Sequence, residues 1–78
     1  MKAIRFPDDF VLNPGYWPDG RQWVYPDLDH KRISVVGGAR GLYGDGVTTF
    51  EMWDKREDEP QGYLSIDQIN EHFEKNPI

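Results

Sequence analysis

Arg32-Ile33-Ser34-Val35-Val36 and Val47-Thr48-Thr49-Phe50-Glu51-Met52-Trp53 are the two stretches that decide the fold class. The first is rich in β-branched residues and ends at a glycine pair, Gly37-Gly38, which is the composition of a bounded strand. The second alternates. Val47, Thr49, Glu51 and Trp53 share one face, and Thr48, Phe50 and Met52 share the other. Paired as a hairpin, the two runs form the centre of an antiparallel sheet. Between them five glycines fall in ten positions: Gly37, Gly38, Gly41, Gly44 and Gly46. Either Gly44-Asp45-Gly46 is a tight turn with Leu42-Tyr43 continuing the first strand, or residues 37–46 form one loop.

Working toward the N-terminus, Gln22-Trp23-Val24-Tyr25 reads as a strand closed by Pro26. It is entered through the turn Trp17-Pro18-Asp19-Gly20-Arg21, in which proline presets one dihedral and glycine takes the left-handed position. Phe10-Val11-Leu12 is a short apolar run stopped by Asn13-Pro14-Gly15. Lys2-Ala3-Ile4-Arg5-Phe6 alternates weakly and is expected to be a first strand ended by Pro7. Toward the C-terminus, Asp54 to Gly62 reads as a charged loop broken by Pro60 and Gly62. A helix follows. Ser65 is a fitting N-cap, Gln68 completes a capping box, and Leu64 and Ile69 are spaced as a hydrophobic staple. Ile66, Ile69 and Phe73 form the stripe expected to dock on the sheet, and Asn76-Pro77 stops the helix.

The expected fold is therefore α+β in a single domain, 1–78: a small antiparallel sheet of three to five strands with one C-terminal helix packed on one face. The alternative is a small SH3-like barrel with a trailing helix.

Composition narrows the function classes. The chain has no cysteine, which excludes disulfides and thiolate metal sites. Its start carries no apolar run of signal-peptide length, and no stretch approaches the ~20 apolar residues that span a bilayer. A cytoplasmic protein is expected, in the host cytoplasm if phage-encoded. The net charge of −5 is confined to the last third. Residues 1–50 balance, whereas Glu51, Asp54, Glu57, Asp58, Glu59, Asp67, Glu71 and Glu74 face only Lys55, Arg56 and Lys75. Such a surface repels phosphate backbones, so direct nucleic-acid binding and membrane binding are not expected. A protein partner, basic for preference, fits better. A homodimer is compatible with so small a domain.

No catalytic, cofactor or metal set emerges. The glycine-rich stretch lacks the following helix and the lysine that a phosphate loop needs. Asp27-Leu28-Asp29-His30 offers hard ligand atoms without the calcium-loop pattern, and reads as a solvated turn. Ser34 and Ser65 are the only serines, and both have structural roles. What does stand out is an aromatic share of 14% in a chain only 37% hydrophobic. Rings left over from the core make interaction hot spots. The candidate protein-binding residues are Trp17, Arg40, Leu42, Tyr43 and Trp53, with the helix stripe Asp67, Glu71 and Glu74.

Ile33-Ser34-Val35-Val36-Gly37-Gly38, Gly41-Leu42-Tyr43-Gly44-Asp45-Gly46 and Tyr63-Leu64-Ser65 together resemble stretches of short accessory proteins of unknown function from bacteriophages and prophages. The resemblance covers about a third of the chain and implies a host-facing or regulatory protein. Three functional expectations follow: a non-enzymatic protein-binding module; an acidic nucleic-acid mimic inhibiting a host defence or DNA-binding enzyme; and a small enzyme, the least supported.

Overall fold

The computed structural model describes residues 3–14, 20–38 and 44–78. Five strands form one antiparallel sheet: β1 (Val11–Leu12), β2 (Arg21–Tyr25), β3 (Ile33–Gly37), β4 (Phe50–Asp54) and β5 (Gln61–Leu64). The helix α1 (Ile66–Lys75) follows. The strands lie in chain order, each paired antiparallel with the next, so the sheet is a simple meander. Among the described residues β1 and β5 are its two edges and do not pair with each other. The sheet is therefore open, an α+β arrangement and not a closed barrel. No helix of the described residues is long and apolar enough to cross a membrane.

The expected β3–β4 hairpin is present, with Val35 opposite Met52 and Val36 opposite Glu51. Its second strand starts later than alternation suggests. Val47 and Thr48 lie in bends, and the ladder begins at Phe50. The cause is Asp45, whose carboxylate accepts the N–H groups of Val47, Thr48 and Thr49 and the Thr48 hydroxyl. Those donors are thus engaged locally and unavailable to a neighbouring strand. The described ends of the connection approach each other, the Gly38 N–H donating to the Gly44 carbonyl at 3.1 Å. Gly46 has φ +76°, and a Cβ at Gly37 would stand 2.5 Å from the Gly46 Cα. Glycine at both positions is what lets the two backbones approach. Any continuation of β3 through Leu42-Tyr43, and the turn at Trp17-Pro18-Asp19, lie outside the described residues.

Three further expectations are corrected. Residues 3–5 are not a strand, and residues 6–9 turn. Asp9 closes this turn by accepting the Arg5 N–H at 2.7 Å. Ile4 and Phe6 are nonetheless buried, at 1% and 3% exposure, so their alternation reported burial and not pairing. The charged loop expected over Asp54 to Gly62 is shorter, because Asp54 ends β4 and Gln61 and Gly62 open the strand Gln61–Leu64. Its pairing with β4 carries an irregularity, Phe50 facing Leu64 but Met52 facing Gln61, and Tyr63 takes φ +57° there. That is the geometry of a bulged edge strand, which tolerates a glycine. Lastly, Ile66 is 38% exposed and contributes little to docking. The buried face of α1 is Ile69, Asn70 and Phe73.

The helix cap forms as its sequence predicts. The Ser65 hydroxyl accepts the Gln68 N–H, and the Gln68 side chain accepts the Ser65 N–H at 2.8 Å. The core gathers Ile4, Phe6 and Phe10 from the N-terminal segment, Ile33, Val35, Phe50 and Met52 from the sheet, and Ile69 and Phe73 from the helix. Phe6 is its hub, meeting Phe10, Trp23 and Phe50 edge-on at 5.2 to 5.4 Å between ring centres. Asn70 is buried with its polar groups satisfied. Its side-chain oxygen accepts the Phe6 N–H at 2.7 Å, and its amide donates to the Phe6 carbonyl at 3.1 Å.

Candidate functional site

The pleat divides the side chains of the sheet between two faces. Trp23, Val35 and Met52 form a row on the face that meets the core. Val11, Val24, Ser34 and Trp53 form a row on the opposite face. There Val24 is buried outside the main cluster, whereas Val11 and Trp53 are 38% and 42% exposed. A polar chain crosses this face, from the Asn13 amide to Gln22 and from Gln22 to the Ser34 hydroxyl.

Trp53 is the candidate aromatic that the structure does place at a surface. Its indole N–H donates to the Glu57 carbonyl at 3.3 Å, and the Lys55 ammonium lies 5.9 Å from the ring centre. Both contacts come from the turn after β4, so the ring is held in one orientation by its own strand end. Trp17, Arg40, Leu42 and Tyr43 lie outside the described residues and are not brought into relation with it. Asp67, Glu71 and Glu74 are exposed on α1, away from the core. Glu71 pairs with Lys75 at 2.8 Å, as their i, i+4 spacing predicts, and Glu74 pairs with Arg5 at 3.5 Å. Two of the three stripe carboxylates thus already face a cation.

At the end of β4 the alternation turns a carboxylate inward. Asp54 is only 2% exposed and is the centre of a network. Arg56 grips both its oxygens, Nε at 3.0 and 3.2 Å and Nη2 at 2.7 Å, and His72 Nε2 lies 2.9 Å from Oδ2. Arg56 also donates to the carbonyls of Asn76 and Pro77, tying the β4 turn to the chain beyond the helix. Burial pushes the Asp54 carboxyl up. The Arg56 and His72 hydrogen bonds outweigh it and hold the pKa at about 2. Charge-assisted and bidentate, this is the strongest kind of polar contact the fold contains.

Asp54, Glu57 and His72 also bring three ligand atoms within 4.8 Å of one another. The chemistry of the set opposes a metal. A cation would have to displace Arg56 from a carboxylate that is already neutralised and bonded at both oxygens. The His72 nitrogen facing Asp54 is engaged, and its ring packs edge-on against Phe73. The Asp27–His30 turn is structural too. The Asp27 carboxylate accepts the N–H groups of Asp29 and His30 and meets His30 Nδ1 at 2.7 Å.

One feature escaped sequence reasoning. A cleft of about 300 Å³ opens at the end of the β3–β4 pair, lined by His30, Arg32, Ile33, Asp54, Lys55, Arg56 and Ile78. Its residues are scattered over three segments, and only the β3–β4 register, Ile33 opposite Asp54, assembles them. Comparison with protein-family models, with curated proteins and with solved structures gives no match.

Proposed function

We propose that this chain is a non-enzymatic protein-binding module whose anchor is Trp53. The observation that carries the reading is a tryptophan 42% exposed on a central strand, on the face away from the helix and fixed by contacts from its own turn. A large ring held rigid in the unbound state loses little entropy on docking, which is why such residues dominate binding energy at interfaces. Among the described residues the carboxylates of Asp27 and Asp54 are bonded within the fold. A host-facing or regulatory protein is what the resemblance to phage accessory proteins implies.

The acidic-mimic reading has less support, because Glu71 and Glu74 are paired and Asp54 is buried. The test is affinity capture from the native host with the wild-type chain and with Trp53→Ala. Loss of a captured protein in the variant, with an unchanged thermal unfolding midpoint, supports the anchor. Equal capture by both chains refutes it.

A further inference from the structure

The cleft at the end of the β3–β4 pair departs from the overall charge of the molecule. In a chain of net charge −5, counted with histidines neutral, three of the seven residues around it are the cations Arg32, Lys55 and Arg56 against the one carboxylate Asp54, with His30 beside them. Two of these are already engaged within the fold, Arg56 with Asp54 at 2.7 Å and His30 with Asp27 at 2.7 Å. Arg32 and Lys55 are in no such pair, Lys55 lying only over the Trp53 ring at 5.9 Å. Both are exposed, and among the described residues neither has a carboxylate partner. Their backbones meet just beyond the ends of the two strands, where the Lys55 N–H donates to the Arg32 carbonyl at 3.1 Å. Two exposed cations in no ion pair beside an open cleft favour a ligand of opposite charge.

The cleft is also partly apolar, with Ile33 and Ile78 on its wall. Lys55 is shared: it lines the cleft and lies over the Trp53 ring. Lys55 thus stands between the Trp53 ring and the cleft. The volume stands at the lower end of the roughly 300–1,000 Å³ that ligand pockets occupy, which suits a side chain better than a cofactor.

We infer that this surface takes an acidic peptide segment of a protein partner, with a carboxylate entering between Arg32 and Lys55 and a neighbouring apolar side chain on Trp53. This deepens the binding-module reading and rests on it. It also reverses the charge expected from composition: the segment that docks is anionic, although the module itself is acidic. Local field, and not net charge, decides which sign a cleft attracts.

The experiment uses random dodecapeptides displayed on yeast, selected against the full chain at low ionic strength. Enriched peptides are then synthesised with a fluorescent label and titrated by anisotropy. Enrichment of Asp or Glu beside Leu, Ile or aromatic residues is expected. Binding should weaken roughly tenfold in Arg32→Glu/Lys55→Glu and should fall as salt rises. If the double reversal lowers the thermal midpoint, Arg32→Gln/Lys55→Gln replaces it, both side chains being exposed. Enriched peptides that are basic or uncharged, no enrichment at all, or undiminished binding to a folded charge variant would each overturn the inference. So would displacement of the peptide by a single-stranded oligonucleotide at lower concentration than by unlabelled peptide. Loss of binding in Trp53→Ala with none in the charge variants sinks the cleft and leaves the module. The reverse pattern keeps the cleft and removes Trp53 as anchor.

Discussion

Asp54 shows how a single residue can be legible in kind and illegible in role. It occupies the inward position of an alternating strand, where sequence favours an apolar side chain, and it looks like the first acid of a charged loop. Its place is set by Arg56 two residues on and by His72 on the helix. No local pattern announces that second partner. The stability it contributes has a definite sign. Its folded pKa of about 2 lies below its ordinary value of 3.8, so the contribution is complete above roughly pH 4 and is lost as pH falls toward 2. Arg56→Ala should remove the strongest force holding that value down. The expected outcome is a loss of about 2 kcal/mol at neutral pH and an acid-unfolding midpoint moved to higher pH, both read from circular dichroism across a pH series. Trp53 is the opposite case. Its exposure follows from strand alternation, and its candidacy was readable before any coordinates.

At the level of elements, the two strongest sequence signals held and the weak ones changed identity. The capping box and the β3–β4 pairing rest on short-range rules, so they survive any tertiary arrangement. Residues 3–6 and Gln61–Leu64 depart from expectation because a strand needs a neighbour. The first has none, being drawn into the core beneath the helix. The second gains β4 despite Gly62, because an edge strand can bulge. At the far end of the glycine-rich connection Asp45 delays the start of β4 by engaging the donors that a longer strand would use. Substitutions separate these cases. Ser65→Ala removes one cap acceptor and should cost about 1 kcal/mol in urea unfolding. Gly37→Ala should cost more, about 1–3 kcal/mol, because the new methyl meets the Gly46 backbone at 2.5 Å, where no flexible side chain can yield. A smaller loss for Gly37→Ala than for Ser65→Ala would contradict the close approach of the two loop ends.

The molecule as a whole is small enough for one ring to matter to all of it. Phe6 touches three other aromatic rings and lies in a segment with no ladder hydrogen bonds of its own. Removing a buried phenylalanine costs about 3–5 kcal/mol, and whole domains of this class are stable by only about 5–15 kcal/mol. Phe6→Ala should therefore shift the thermal midpoint by well over ten degrees or abolish the cooperative transition, as calorimetry would record. The cleft belongs to this scale as well. It exists only where two strand ends, a turn and the last residues converge, which is why it has no counterpart in any run of sequence.

The clasp between Asn70 and the Phe6 backbone joins positions 64 apart in the chain. During synthesis the opening residues emerge first and wait, with Ile4, Phe6 and Phe10 uncovered, until the helix arrives to shelter them. Assembly is thus a late, concerted event, and a nascent chain halted short of position 70 would remain sensitive to protease and open to chaperones along its entire length.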